Sequence, residues 1–248
     1  EILQKRNPKK DLANIFKVPE KEIATFLSEF KENANISVFY GNLLWHKEKV
    51  PSYFSKLKII YGNAYFDSLI SAKGLESLQN IKGDAHFSSL TNAKGLKSLQ
   101  TINGDAHFEH LISAAGLDSL QNIGKNAHFN KLTNARGLES LQNIGGSVWF
   151  DRLTRAKGLE SLQNIGEVAF FHSLISAKGL NSLQNIGYIA YFSSLTRTEG
   201  FESLHSVGYT TNQLVQEIIE QNNQTNTKTT ISKSKKNILK NFLSSRKI

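Results

Sequence analysis

The chain has 248 residues, 39% of them apolar, and 30 Lys and Arg stand against 21 Asp and Glu for a formal charge of +9. That apolar share is enough for a continuous core in one elongated domain with tails. The absence of cysteine excludes a disulfide framework, a zinc–thiolate centre and thiol catalysis, and the chain shows neither a run apolar enough to span a bilayer nor a signal peptide.

In chain order, residues 1–36 read as a basic arm followed by an N-terminal capping helix. The arm carries QKRNPKK. The helix is predicted over 18–33, with Pro19 at its first position, Glu20 and Glu22 at its positive end, and Ile23, Phe26, Leu27 and Phe30 as one apolar stripe. Residues 37–210 hold a repeat. Its first coil is atypical, with Pro51, Tyr53 and Phe54 filling the place of the regular arc. From there the same text returns every 21 residues, as in GDAHFSSLTNAKGLKSLQTI over 83–102 and GDAHFEHLISAAGLDSLQNI over 104–123. A fixed period of this length is the mark of a solenoid of about eight coils. Residues 211–222 are expected to close the second end as a capping helix, with Leu214, Val215, Ile218 and Ile219 facing in. Residues 223–248 read as a polar linker and a basic amphipathic tail, in which Lys233, Lys235, Lys236, Lys240, Arg246 and Lys247 surround apolar positions at helical spacing.

Within one unit, Ala85 and Phe87 are two apart and share one face of a short strand. Leu90 and Ala93, then Leu96 and Leu99, are three apart, which predicts a tight helical arc. A glycine recurs at the corner, as Gly74, Gly95, Gly116, Gly137, Gly158, Gly179 and Gly200. The recurrent Gln79, Gln100, Gln121, Gln142, Gln163 and Gln184 are expected to tie the return segments together as a polar ladder. Stacked at about 4.8 Å, eight coils make a rod roughly 35–40 Å long.

The unit Ile81-Lys-Gly-Asp-Ala85-His-Phe87…Leu90…Leu96…Leu99…Ile102 resembles the leucine-rich repeat superfamily, in its bacterial short-repeat and receptor L-domain forms. The likeness covers about residues 41–210. It departs from the family where Ala replaces the first strand leucine and where the strand-ending asparagine is missing. The resemblance implies an α/β solenoid: a right-handed stack of coils with one parallel sheet and helical caps at both ends. With the Lys- and Asn-rich composition, it also implies a bacterial surface, secreted or host-directed factor.

Between each inward Ala and Phe stands one residue that must point outward: Tyr65, His86, His107, His128, Trp149, Phe170 and Tyr191. No core requires aromatic side chains there. They are candidates for a partner-binding face, continued by Asp84, Asp105 and Glu109. Side-to-side stacking that merely stabilises the sheet is the competing explanation. A ladder of parallel imidazoles points away from a metal centre, so no metal and no cofactor is predicted. No P-loop, nucleophile elbow or HExxH is present, and carboxylates that repeat with the coil argue against a reaction centre. The expectation is a non-enzymatic module that binds a protein, with no small-molecule substrate. The alternative is an electrostatic adaptor whose basic tail docks on anionic membrane or nucleic acid. A basic column on the arc side, Lys73, Lys94, Arg136, Lys157 and Lys178, reads as solvation partly neutralised by Glu76, Asp118, Glu139 and Glu160.

Overall fold

The structure, a computed structural model, describes residues 8–225. The chain winds into a parallel-sheet β-solenoid of about eight coils of ~21 residues. Each regular coil contributes two very short strands, and each strand hydrogen-bonds to the same residues one coil away. One ladder follows the Ala-His positions, with Ala85 opposite Ala106 and His86 opposite His107, and then Ala106 opposite Ala127. A second ladder follows the Asn-Ile positions, with Asn122 opposite Asn143 and Ile123 opposite Ile144. The two ladders merge in the strand Asn185–Tyr191, which then pairs with Ser206–Thr210. A third line of isolated bridges joins Asn134, Arg155, Ser176 and Arg197.

The second ladder corrects the sequence reading, which placed strands only at Ala-x-Phe. The arcs are corrected too. Of the regular coils, only Lys94–Leu96 forms a 3₁₀ helix. In the other coils the spacing of three produces separate single turns: Leu132 N–H donates to Phe129 O at 3.1 Å, Leu138 N–H to Ala135 O at 2.9 Å and Leu141 N–H to Leu138 O at 2.9 Å. Each turn closes one hydrogen bond and stops, because helix propagation needs consecutive bonds that the glycine corner interrupts. The fold is therefore a β-solenoid and not the α/β solenoid implied by the resemblance.

The core is a set of columns. The inward alanines, phenylalanines, leucines and isoleucines of successive coils are fully buried. The rings of Phe66, Phe87, Phe108, Phe129, Phe150, Phe171 and Phe192 stack with centroids 5.2–5.5 Å apart. Polar ladders run beside them. Asn143 Nδ2 donates to Asn122 Oδ1, Asn164 to Asn143 and Asn185 to Asn164, each at 2.9 Å. The side-chain ladder is thus built by asparagine, whereas the preceding glutamines contribute their backbone, as in Gln142 N–H to Gln121 O at 2.8 Å.

The first end differs from expectation. In place of one helix over 18–33, the chain forms α1 (Pro8–Phe16), a 3₁₀ turn Glu20–Glu22, the strand β1 (Ile23–Ala24) and the single-turn helix α2 (Glu29–Glu32). β1 extends the Asn-Ile ladder, with Ile23 opposite Val38 and Ala24 opposite Phe39. Ile23 and Phe30 are buried while Phe26 is 70% exposed, so the predicted stripe does not exist as one face. Phe30 instead fills the irregular first coil against Phe39, Tyr53 and Phe54. At the other end a helix over 213–225 buries Val215 and sets Ile218 and Ile219 against the core. Leu214, expected to face in, is 41% exposed. Two asparagines bind this end to the last coils: Asn212 Nδ2 donates to Phe192 O and Asn222 Nδ2 to Phe201 O and Leu204 O. The basic tail with Lys233, Lys235, Lys236, Lys240, Arg246 and Lys247 lies outside the described residues. Among the described residues, no helix is long and apolar enough to cross a membrane.

The corner glycines show how strictly the stacking is enforced. Gly158 has φ +105°, and a Cβ there would sit 2.2 Å from Ala135 O in the preceding coil. Gly158→Ala should lower stability by about 2 kcal/mol or more, from the left-handed backbone and the clash together. Asn143→Ala breaks two rungs and should cost roughly 1–3 kcal/mol. Gln142→Ala, at an exposed side chain, should stay within about 0.5 kcal/mol. Urea unfolding of the three variants reads this order directly.

Candidate interaction surface

Strand alternation delivers the outward column as the sequence predicts. Ala106 and Phe108 are fully buried, and His107 between them is half-exposed. The same holds for Tyr65, His86, His128, Trp149, Phe170 and Tyr191, each flanked by buried neighbours. These side chains are not independent of one another. They form one continuous stack, with centroids 4.3–5.2 Å apart and planes within 5–23° of parallel. A ring wider than the strand spacing has room for its neighbour only by lying parallel to it. Most ring faces are therefore covered by the next ring, and the surface presents ring edges.

The flanking residues divide by role. Asp84 and Asp105 are fixed to the scaffold: Asp84 Oδ1 accepts from Asp105 N–H and Asp105 Oδ1 from Asn126 N–H, both at 2.9 Å. Asn63 and Asn126 continue the same ladder toward Asp84 and Ser147. This structural use of Asp84 and Asp105 depends on a partner 21 residues away, and the local sequence gives no sign of it. Val168 and Ile189 are partly exposed beside Trp149, Phe170 and Tyr191, so this end of the face is apolar.

Glu109 behaves differently. Its Oε1 pairs with His107 Nδ1 at 2.8 Å. Burial pushes the Glu109 carboxyl up, but the hydrogen bond from His107, its own backbone N–H and the charge of His107 bring it down to about 2. The hydrogen bond to Glu109 raises His107 above the ordinary 6.5; burial opposes it, and the charges of Glu109, Asp105 and Asp84 add to it. His128, one coil on, is lowered by burial and then by the positive charge of His107, against the pull of Glu109 and Asp105. The second carboxyl oxygen of Glu109 and Oδ1 of Asn130 are buried without a hydrogen bond. Asn130 stands at the same position one coil along and donates its Nδ2 to Asp151 Oδ2 at 2.8 Å.

His107, Glu109 and His128 bring one donor atom each within 4.8 Å of one another. The two imidazoles lie 5° from parallel with centroids 4.8 Å apart. Their in-plane lone pairs point side by side and do not converge, so coordination of one ion would require a ring to leave the stack.

The His107 contribution is fully present below pH 6.5 and fades as pH rises through its raised pKa. The Glu109 contribution is present above pH 4.5 and fades as pH falls toward 2. His128, held neutral, loses stability on the acid side as pH falls from 6.5 through its lowered value. An NMR titration of the imidazole protons should show His107 above 6.5 and His128 below it. Glu109→Gln should bring His107 down, since the pair supplies its largest upward shift. Coincident titrations that the substitution leaves unmoved would contradict the pairing.

No family model matches this chain, and no curated protein matches it.

Proposed function

We propose that this chain is a non-catalytic interaction module that grips a protein partner along the ring column. Trp149, Phe170 and Tyr191 form the apolar end of the contact. Tyr65, His86, His107, His128 and Glu109 form its polar continuation. The observation that carries this reading is the redundancy of the outer column. The buried phenylalanine stack already fills the coil, yet a second aromatic stack stands half-exposed outside it.

The chemistry of the contact follows from the stack. Ring edges carry the positive end of the aromatic quadrupole, so they suit carbonyl oxygens, carboxylates and the π-faces of a partner's rings. A rigid ridge loses little conformational entropy on binding, which favours affinity. The leucine-rich repeat resemblance supports the same reading, since extended concave strand faces are how stacked repeats meet partners. On that resemblance we place the chain beside the bacterial short-repeat and receptor L-domain forms, as a surface, secreted or host-directed factor.

The test compares two variants in partner capture followed by direct affinity measurement on the captured protein. Trp149→Ala/Phe170→Ala, shown to be folded by circular dichroism, should weaken binding by about 2–4 kcal/mol. Deletion of residues 231–248 should leave it unchanged. If capture survives the ring substitutions and fails on the deletion, the contact belongs to the basic tail and the reading is wrong.

A further inference from the structure

The turn side of the solenoid carries a feature that the ring column does not use. Over four consecutive coils, Arg136, Arg155, Lys157, Lys178 and Arg197 are all exposed and crowd two adjoining concavities that share Arg155 and Lys157. The larger has a volume of about 620 Å³. The third bridge line sets the spacing: Arg155 pairs with Ser176 and Ser176 with Arg197, so these two guanidinium groups recur on alternate coils. Arg136, Lys157 and Lys178 recur on consecutive coils, about 4.8 Å apart along the backbone. Like charges stacked at that distance repel.

The nearby carboxylates hydrogen-bond to backbone. Glu139 Oε2 accepts from Gly137 N–H at 2.8 Å, Glu160 Oε2 from Gly158 N–H at 2.9 Å and Glu202 Oε1 from Gly200 N–H at 3.0 Å. These carboxylates serve their own turns. Among the described residues, ion pairs join Lys9 to Glu29 and His107 to Glu109, and none engages the five cations. Glu160 is the one acid lining the larger concavity, against Arg155, Lys157, Lys178 and Arg197. Ala115 separates this sector from Lys73 and Lys94 in the same column, and Glu199, one coil after Lys178, ends it.

We propose that this sector binds a linear sulfated polysaccharide. Repeated anions along a flexible chain match cations repeated along a rigid rod, and released counterions supply much of the affinity. Arg offers a bidentate fork to each sulfate. Ser176, whose Oγ accepts from Lys178 N–H at 3.3 Å, places an uncharged hydroxyl among the cations, as sugar hydroxyls require. No aromatic ring lines either concavity, so the stacking platform that single-stranded nucleic acid uses is missing there.

The probe is heparin, titrated against the full chain at several salt concentrations, with desulfated heparin and a single-stranded oligonucleotide of equal charge beside it. Heparin should bind and weaken steeply with salt, and desulfated heparin should not bind. Arg155→Gln/Lys178→Gln/Arg197→Gln should lose roughly tenfold or more. Lys58→Gln/Lys82→Gln/Lys125→Gln, which removes the same charge elsewhere, should stay within about twofold. Equal losses in the two triple variants would make the effect one of net charge and overturn the site. So would full heparin affinity in the first variant, which places the contact elsewhere, such as the tail. An oligonucleotide that binds as tightly as heparin and is lost with the same variant would make the sector a nucleic-acid surface instead. A wild-type chain that ignores heparin ends the proposal outright.

Discussion

Every feature of this molecule rests on one constraint: parallel pairing between residue i and residue i+21, repeated without slippage through the regular coils as far as the last pair, where the register shifts and Ile189 lies opposite Tyr209. Parallel register places each side chain directly over its own counterpart. Phenylalanine stacks on phenylalanine, asparagine donates to asparagine, and an aspartate oxygen accepts from the backbone of the next aspartate. Each of these bonds is modest alone. Their strength lies in repetition, because a one-residue slip would break all the columns at once and turn every inward side chain out.

The same constraint decides what chemistry the fold can host. Identical residues about 4.8 Å apart make stripes, and parallel stripes do not focus donors on a point. Distinct sites arise only where the repeat text diverges. On the strand face that happens at Glu109 and Asn130, where two oxygens are left unpaired, and from Trp149 onward, where imidazoles give way to larger rings. On the turn side it happens at Arg155 and Arg197, where arginine replaces the Ser or Asn of the equivalent positions. The molecule is best understood as a rigid ruler whose faces are written by substitutions within a monotonous text.

Much of this was legible in the residues. The Ala-x-Phe alternation defines inside and outside by itself, so the ring column could be read without coordinates. The 21-residue period fixes the stacking. The Asn-Ile ladder was hidden because a two-residue strand with one buried member has no alternation to detect. The spacing of Leu90, Ala93, Leu96 and Leu99 fits a helix and a train of single turns equally well, and only the glycine corner separates them. Ile23, Phe26, Leu27 and Phe30 mimic a helical stripe for the same reason, although the chain there turns into a strand and leaves Phe26 in solvent. The roles of Asp84 and Asp105 lie in contacts one coil away, which no local motif encodes. The turn-side charge was visible as a column, but its acids looked like neighbours of the cations until their bonds to Gly137, Gly158 and Gly200 were seen.

The absence of cysteine makes the coil pitch directly measurable, because introduced thiols can be spin-labelled without background. Lys73, Lys157 and Lys178 hold equivalent exposed positions separated by whole coils. Dipolar spectroscopy on Lys73→Cys/Lys178→Cys, five coils apart, should give a narrow distribution near a backbone separation of about 24 Å, and Lys73→Cys/Lys157→Cys should be shorter by about 5 Å. Broad distributions, or distances that do not step with the number of coils, would contradict the stacked register on which both faces depend.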